Sequence, residues 1–240
     1  MVKFKKKLKL SVWQFLSLGF LAAIILGSLL LMLPFATKSG KTTSYINALF
    51  TATSAICVTG LAPYDTATHW TLFGQLVILL LIQTGGLGFM TFVSAALIVF
   101  KREMGIYSRN VLMHDANSGK LNGLKSLVKR IILGPAIFEA AGALILMIRF
   151  IPDFGAGNGV YYSVWHSVSA FCNAGFDLMG SEGNEFVSLA AYAKDPLVTL
   201  TLTVLILTGG LGFCVWSDCI DCKMNVKKFQ LHTKVVLLVN

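Results

Sequence analysis

The sequence predicts an all-α polytopic membrane protein that is built from two tandem units. Three observations predict this fold class. Of the 240 residues, 55% are hydrophobic and only 13% are charged, whereas soluble domains carry about 25% charged residues. Four apolar stretches are long enough to cross a bilayer, since a spanning helix needs about 20 mostly apolar residues. Two short sequence phrases also occur twice, which indicates an internal repeat.

Each predicted unit consists of a helix, a short re-entrant pore hairpin and a second helix. The first unit covers residues 1–100, with its helix at 10–33, its hairpin at 44–61 and its second helix at 72–100. A basic cytoplasmic connection at 101–130 precedes the second unit at 131–218, whose elements are expected at 131–151, 160–176 and 197–218. Residues 219–240 are expected to form another cytoplasmic connection and the start of an incomplete third unit.

The first apolar stretch follows five lysines and could be taken for a secretory signal. Its apolar run, residues 10–33, is much longer than the roughly 7–15 residues of a signal peptide. The sequence therefore predicts a retained first helix that ends at Pro34.

Basic residues are concentrated in three segments that alternate with the apolar stretches. Sixteen of the twenty Lys and Arg residues lie at the N-terminus, in 101–130 and in 223–234. The positive-inside rule assigns such segments to the cytoplasm. The charge pattern thus predicts a multi-pass protein of the cell membrane with a cytoplasmic N-terminus. It indicates contact with anionic lipid and argues against nucleic acid as a partner.

The repeat is visible in two pairs of phrases. "SAICVTGL" at 54–61 and "SAFCNAGF" at 169–176 share four of eight residues at an offset of 115. "LIQTGGLGF" at 81–89 and "LILTGGLGF" at 205–213 share eight of nine at an offset of 124. The chain therefore contains the same unit twice, with nine additional residues in the second copy.

The short apolar segments before each glycine-ended phrase cannot cross the membrane. Residues 44–56 and 160–171 correspond to some 18–20 Å of helix against a hydrocarbon core of about 30 Å. Both segments are expected to enter and leave at the outer face. Non-helical backbone at membrane depth is tolerated only where protein buries it or where it lines a water-filled cavity.

This arrangement is potassium-channel-like and predicts a cation selectivity filter. Rings of backbone carbonyls replace the hydration shell of K⁺ in such filters, and glycine permits the backbone angles required. The transported K⁺ is the metal expected, and the five cysteines do not predict a structural metal site. The predicted filter residues are Cys57, Val58, Thr59, Gly60, Cys172, Asn173, Ala174 and Gly175.

Other residues have predicted supporting roles. The glycines of "TGGLGF" favour close packing of the second helix against the hairpin; they are Gly85, Gly86, Gly88, Gly209, Gly210 and Gly212. Asp65 and Asp177 are candidate vestibule acids that would concentrate cations, or ordinary loop acids. Glu139 lies in an apolar helix and is open to three interpretations: structural pairing, a place on the ion path, or proximity to the inner interface. No catalytic constellation is present, so an enzyme is not predicted.

The phrases "TSAICVTGL", "VSAFCNAGFD" and "QTGGLGFM" resemble the Trk/Ktr/HKT superfamily of cation transporters, most of all its KtrB branch, the membrane subunits of bacterial Ktr potassium uptake systems. The resemblance implies a four-unit pore, a homodimer in the bacterial cell membrane, and a cytoplasmic KtrA-like ring. That separate ring, rather than this chain, would bind a regulatory nucleotide, and no cofactor is expected here.

The chain departs from the family in holding two repeats where members have four. It is therefore expected to be a truncated N-terminal half whose sequence ends inside a third unit. Two alternatives to potassium uptake remain open: a sodium-preferring or sodium/potassium transporter of the same superfamily, and a noncatalytic membrane scaffold or inactive truncated product.

Overall fold

The computed structural model describes residues 12–88, 124–212, 215–216, 218–219, 222, 226 and 229–239. Across these residues the structure is helical and contains no strands, apart from two isolated bridges, Thr37 with Trp70 and Ser181 with Asn184. The predicted all-α class is thus confirmed for the described part of the chain. The α-helices are α1 (Val12–Leu31), α2 (Tyr45–Cys57), α3 (Thr66–His69), α4 (Leu72–Gly86), α5 (Leu124–Phe171), α6 (Pro196–Gly210) and α7 (Leu231–Val239).

In the first unit, α2 packs against both α1 and α4. Ser44 caps the start of α2 by accepting from the Asn47 amide, and Thr71 caps α4 by accepting from the Gly74 amide. Apolar side chains from the three helices, including Ile56 and Ile78, are buried at their common interface. The capping residues and the apolar faces therefore set both the helix starts and the core.

The second unit begins with a helix that folds back on itself. Helix α5 contains one non-helical residue, Gly155, with φ 79° and ψ 166°. After it the chain reverses direction. The evidence is that a Cβ on Gly159 would lie only 2.6 Å from the Ile151 Cα, eight residues earlier. The Ser167 hydroxyl likewise donates to the Glu139 carbonyl, 28 residues earlier, at 2.6 Å. Helix α5 therefore has a first arm at 124–154 and a second arm at 156–171.

These arms differ from the predicted separate elements at 131–151 and 160–176. The connection expected between them is mostly helical in the structure, and the reversal is made by a single residue. A positive φ is accessible to glycine at little cost, so one residue is enough for the turn. The predicted connection at 101–130 lies outside the described residues up to 123, and 124–130 belong to the first arm.

The predicted helices at 72–100 and 197–218 end earlier than expected. Helix α4 ends at Gly86 and α6 ends at Gly210. Gly88 and Gly212, two residues beyond each end, both have φ 80°, which does not continue a right-handed helix. Residues 89–100 lie outside the described residues, and helical positions reappear after Gly212 at 215–216 and 218–219.

By length and composition, one apolar helical segment in the described part of the chain is long enough to cross a membrane, Leu133–Phe171. It includes the turn at Gly155. Four further apolar helices are shorter, at Leu16–Leu31, Tyr45–Cys57, Leu72–Gly86 and Pro196–Gly210. Large apolar side chains are exposed on several of these helices, for example Leu26, Leu144 and Leu200, each more than 60% exposed.

Candidate cation site

The two glycine-ended phrases adopt the same backbone conformation. Helix α2 ends before Val58, which has φ 58°, and the second arm of α5 ends before Asn173, which also has φ 58°. The amide of Thr59 donates to the Ser54 carbonyl at 3.0 Å, and the amide of Ala174 donates to the Ser169 carbonyl at 2.7 Å. All three pairs of residues are 115 positions apart, so the sequence repeat is also a repeat in backbone conformation.

The two phrases meet at their glycines. Gly60 and Gly175 have φ 73° and 75°, values that favour glycine over every other residue. A Cβ on Gly60 would lie 2.7 Å from the Ala174 carbonyl oxygen and 3.3 Å from the Gly175 Cα. A Cβ on Gly175 would lie 3.4 Å from the Gly60 Cα. The structure therefore brings the predicted segments 57–60 and 172–175 into direct contact without side chains between them.

The side chains of the two segments have different surroundings. Cys57 is exposed, whereas the equivalent Cys172 is buried. A Cβ on Gly86 would lie 2.6 Å from the Cys172 sulfur, and the Cys172 thiol donates to the Gln83 Oε1 at 3.6 Å. The second segment is thus covered at Cys172 by α4 of the first unit.

Three side chains that sequence reasoning missed hold the second segment beyond Gly175. Trp165 and Ser169 both donate to the Phe176 carbonyl, and His166 accepts from the Leu178 amide. All three belong to the second arm of α5 and are buried. The available signal was a tryptophan and a histidine next to each other in a short helix.

The six glycines predicted to assist helix packing divide into three kinds. A Cβ on Gly85 would overlap the Ile56 carbonyl oxygen, and one on Gly209 would overlap the Phe171 carbonyl oxygen. Gly86 meets Cys172, whereas the nearest atom to a Cβ on Gly210 is 3.9 Å away. Gly88 and Gly212 lie where α4 and α6 have ended. Close helix approach therefore falls on Gly85 and Gly209, the last turn of each helix.

Asp65 is buried at the junction between the units. It is 5% exposed, and its Oδ1 accepts from the amides of Ala67 and Thr68 at the start of α3. Its Oδ2 accepts from the amide of Phe186, in the long loop of the second unit, at 2.9 Å. The vestibule role predicted for Asp65 does not fit a carboxylate that receives three backbone hydrogen bonds inside the protein.

Asp177 is partly buried beside the second segment. With Asn173, Gly175 and Ser188 it lines a cavity of about 230 Å³ beside the second segment. Burial raises the pKa of the Asp177 carboxyl above its ordinary value, a hydrogen bond from the Met179 amide opposes the rise, and the neighbouring Asp65 adds to it. A partly buried carboxyl therefore lies two residues beyond Gly175.

Glu139 links the two units through a hydrogen-bonded contact with Gln83. The Gln83 Nε2 donates to both Glu139 carboxylate oxygens, at 3.0 and 3.2 Å. The Gln83 Oε1 also accepts from the Cys172 thiol. A series of hydrogen bonds therefore runs from Glu139 on the first arm of α5, through Gln83 on α4, to Cys172 in the second segment. Of the three interpretations of Glu139, the contacts favour structural pairing.

The chain is similar in sequence to known cation transport proteins. The chain matches the TrkH family, described as a cation transport protein, over residues 12–238. It is 41% identical to the potassium/sodium uptake protein NtpJ of Enterococcus hirae, over 99% of this chain and 51% of that protein. It is 44% identical to the Ktr system potassium uptake protein B of Bacillus subtilis, over 93% of this chain and 48% of that protein.

A third relative, the Ktr system potassium uptake protein B of Vibrio alginolyticus, is 37% identical over 92% of this chain and 47% of its own length. The chain thus spans about half the length of the curated relatives it matches. The family match includes both glycine-ended phrases and nearly the whole sequence. The resemblance predicted from the repeated phrases is therefore confirmed, and the chain belongs to the TrkH family of cation transport proteins.

Proposed function

We propose that this chain contributes two of the four filter segments of a potassium uptake pore in the cell membrane. Backbone carbonyls of 57–60 and 172–175 would hold the dehydrated ion. The observation that carries the proposal is the contact of two identically folded segments through Gly60 and Gly175. The names of two relatives, both Ktr system potassium uptake proteins, support the choice of ion.

The geometry also suggests how a complete filter would be formed. The two segments touch at their glycines, so a cation would lie beside this contact and not within it. Carbonyls from two further segments would close the ring around the ion. The relatives' length, about twice that of this chain, is enough to provide two more units of the same kind.

Substitution of Gly60 by alanine tests the filter assignment. The new Cβ would meet the Ala174 carbonyl at 2.7 Å, in a backbone conformation that alanine rarely adopts. We expect the gene with Gly60→Ala to lose its rescue of a potassium-uptake-deficient bacterium. The matched control is Gly183→Ala, because Gly183 has φ 78° but no atom within 4 Å of a Cβ. Unchanged uptake in Gly60→Ala, with the protein present in the membrane, would contradict the filter.

A transporter that takes sodium as well as potassium is a second candidate. The supporting observation is the name of one relative, a potassium/sodium uptake protein. Competition of Na⁺ against Rb⁺ uptake separates the two. A K⁺-selective pore gives Rb⁺ uptake that excess Na⁺ leaves unchanged, whereas a sodium-accepting transporter gives strong inhibition.

A noncatalytic scaffold would keep the same fold without conducting ions. Cys57 distinguishes this alternative because it is exposed next to the first segment, while Cys172 is buried. Reaction of Cys57 with a small water-soluble thiol reagent, slowed by K⁺, supports a pore. A Cys57 that reacts equally with and without K⁺ favours the scaffold.

We propose that the chain is embedded in the bilayer with its N-terminus in the cytoplasm, as its charge distribution indicates. A homodimer and a separate cytoplasmic KtrA-like, nucleotide-binding ring complete the proposed assembly. The names of two relatives, which refer to a Ktr system, support a partner of this kind.

A further inference from the structure

We propose that Trp165, His166 and Ser169 are positioning residues that fix the second filter segment, and that this segment therefore discriminates between K⁺ and Na⁺ more strictly than the first. The inference rests on the proposed function. It assigns the two segments unequal roles although their backbones are alike.

The three side chains bond to consecutive peptide groups just beyond Gly175. The Trp165 Nε1–H donates to the Phe176 carbonyl at 3.1 Å, and the Ser169 hydroxyl donates to the same oxygen at 2.7 Å. The Leu178 amide donates to the His166 Nε2 at 3.3 Å. Peptide groups on both sides of Asp177 are thus tied to the second arm of α5.

The protonation state of His166 follows from its two bonds. Its Nδ1 lies 2.6 Å from the Tyr162 carbonyl oxygen, which can only accept a hydrogen bond. The proton is therefore on Nδ1, which leaves Nε2 free to accept from the Leu178 amide. The bond to Tyr162 orients the ring so that it can hold the segment.

Burial makes these bonds effective constraints. Trp165 is 0%, His166 2% and Ser169 4% exposed, and Phe176 is 3% exposed. Water cannot replace a lost partner at such positions, so an unpaired buried carbonyl or amide is costly. The residues that directly follow the second segment are thereby fixed to the second arm of α5.

The first unit has none of these contacts at the equivalent positions. Phe50 stands where the second unit has Trp165 and has no hydrogen-bond donor on its side chain. Ser54, equivalent to Ser169, bonds to the hydroxyl of Thr59 at 2.8 Å. Leu61, equivalent to the buried Phe176, is 62% exposed. Within the described residues, the first segment is therefore free of the side-chain bonds that fix the second.

Rigidity matters because K⁺ and Na⁺ differ in size. In the size-fit account of selectivity, a carbonyl cage that cannot contract binds the smaller Na⁺ less well, and one that relaxes around Na⁺ loses this discrimination. Loosening the second segment should raise the acceptance of Na⁺, whereas changing the first unit at the equivalent position should have little effect.

The test is Trp165→Phe, which keeps an aromatic ring and removes the donor to Phe176 together with part of the buried indole. Cells expressing the full gene are assayed for Rb⁺ uptake with and without competing Na⁺, normalised to the amount of protein in the membrane. We expect the preference for Rb⁺ over Na⁺ to fall about fivefold, the equivalent of one lost hydrogen bond, while uptake of Rb⁺ alone continues. Phe50→Leu is the matched control and should keep the preference.

Ser169→Ala removes the other donor to the same carbonyl and serves as the second variant if Trp165→Phe is not made in the membrane. An unchanged preference in whichever of the two variants reaches the membrane would overturn the inference. Gly60→Ala is measured in parallel. Loss of uptake in Gly60→Ala with an unchanged preference in the positioning variants rejects only this inference, whereas unchanged uptake in Gly60→Ala rejects the pore itself.

Discussion

Gly209 and Gly210 are neighbours on α6, but an added Cβ would meet different surroundings at each. Gly209 lies against the backbone at the end of the second arm of α5, where a Cβ would overlap the Phe171 carbonyl oxygen. Gly210 has only the Asn173 side chain near it, at 3.9 Å. The sequence motif predicted close packing for both glycines, but which one makes the contact depends on the rotation of the helix against its neighbour.

We expect Gly209→Ala to destabilise the protein and Gly210→Ala to be tolerated. Overpacking against fixed backbone costs about 1–3 kcal/mol, which should lower the thermal midpoint in detergent by on the order of 5 °C. Alanine at 210 adds helix propensity without a clash, so its midpoint should stay the same or rise slightly. Equal midpoints for the two variants would show that the α6 contact is not as described.

At the scale of elements, the link from Glu139 to Gln83 joins the first arm of α5 to α4. Hydrogen bonds to a charged group contribute about 1.5–3 kcal/mol. We expect Glu139→Ala and Gln83→Ala each to destabilise the protein, and the double variant to cost less than the sum, with a coupling free energy of about 1–2 kcal/mol. The free energy of unfolding in detergent is measured for the unchanged protein, the two single variants and the double variant.

Glu182→Ala is the control for this cycle, since Glu182 is an exposed loop acid. It should leave stability unchanged. Strict additivity of Glu139→Ala and Gln83→Ala would mean that the two side chains do not stabilise the interface between the units together.

The elements that the sequence predicts well are those determined by local residues. The ends of α2 and of the second arm of α5 follow from the repeated phrases, and their backbones indeed match. The reversal at Gly155 was not predictable in this form, because glycine, proline and asparagine in 152–159 are typical of a loop. Ring contacts across the turn, such as Phe154 with Tyr162 at 5.1 Å, accompany helix on both sides of Gly155, and such long-range packing is not visible in a local pattern.

For the whole molecule, the Asp177 carboxyl predicts a pH dependence of uptake. Because its pKa is raised, mainly by burial, it becomes neutral as the pH falls through a range above the ordinary value of about 4. Below that range the outer side of the filter loses a negative charge that attracts cations. We expect Rb⁺ uptake at low Rb⁺ concentration to fall over this range, and Asp177→Asn to lower uptake about threefold at neutral pH and to flatten the pH profile.

High salt should weaken the effect of Asp177 by screening, and Glu182→Gln, an exposed acid in the same loop region, should keep the normal profile. If the pH profile of uptake for Asp177→Asn overlies that of the unchanged protein, Asp177 does not take part in conduction.

The arrangement of the two units relative to each other was the least predictable feature. The sequence indicates two copies and an insertion of nine residues, but it does not show that the inserted loop reaches over the first unit. The structure places that loop on α3, through the bond from the Phe186 amide to Asp65. The contact joins residues 121 positions apart, and neither residue carries a signal that identifies the other.

The turn at Gly155 also determines how motion passes through the second unit. Its two arms are joined by one residue and are bonded side to side through Ser167 and the Glu139 carbonyl. A displacement of the first arm along its axis would therefore be transmitted to the second arm and then, through Trp165 and His166, to the peptide groups beyond Gly175. In the first unit α1 and α2 are separate helices, connected by residues 32–44 with a short 3-10 helix at Pro34–Ala36, and they pack directly against each other. A force on the first helix of either unit would therefore reach the candidate site through packing, and in the second unit also through the single-residue joint at Gly155.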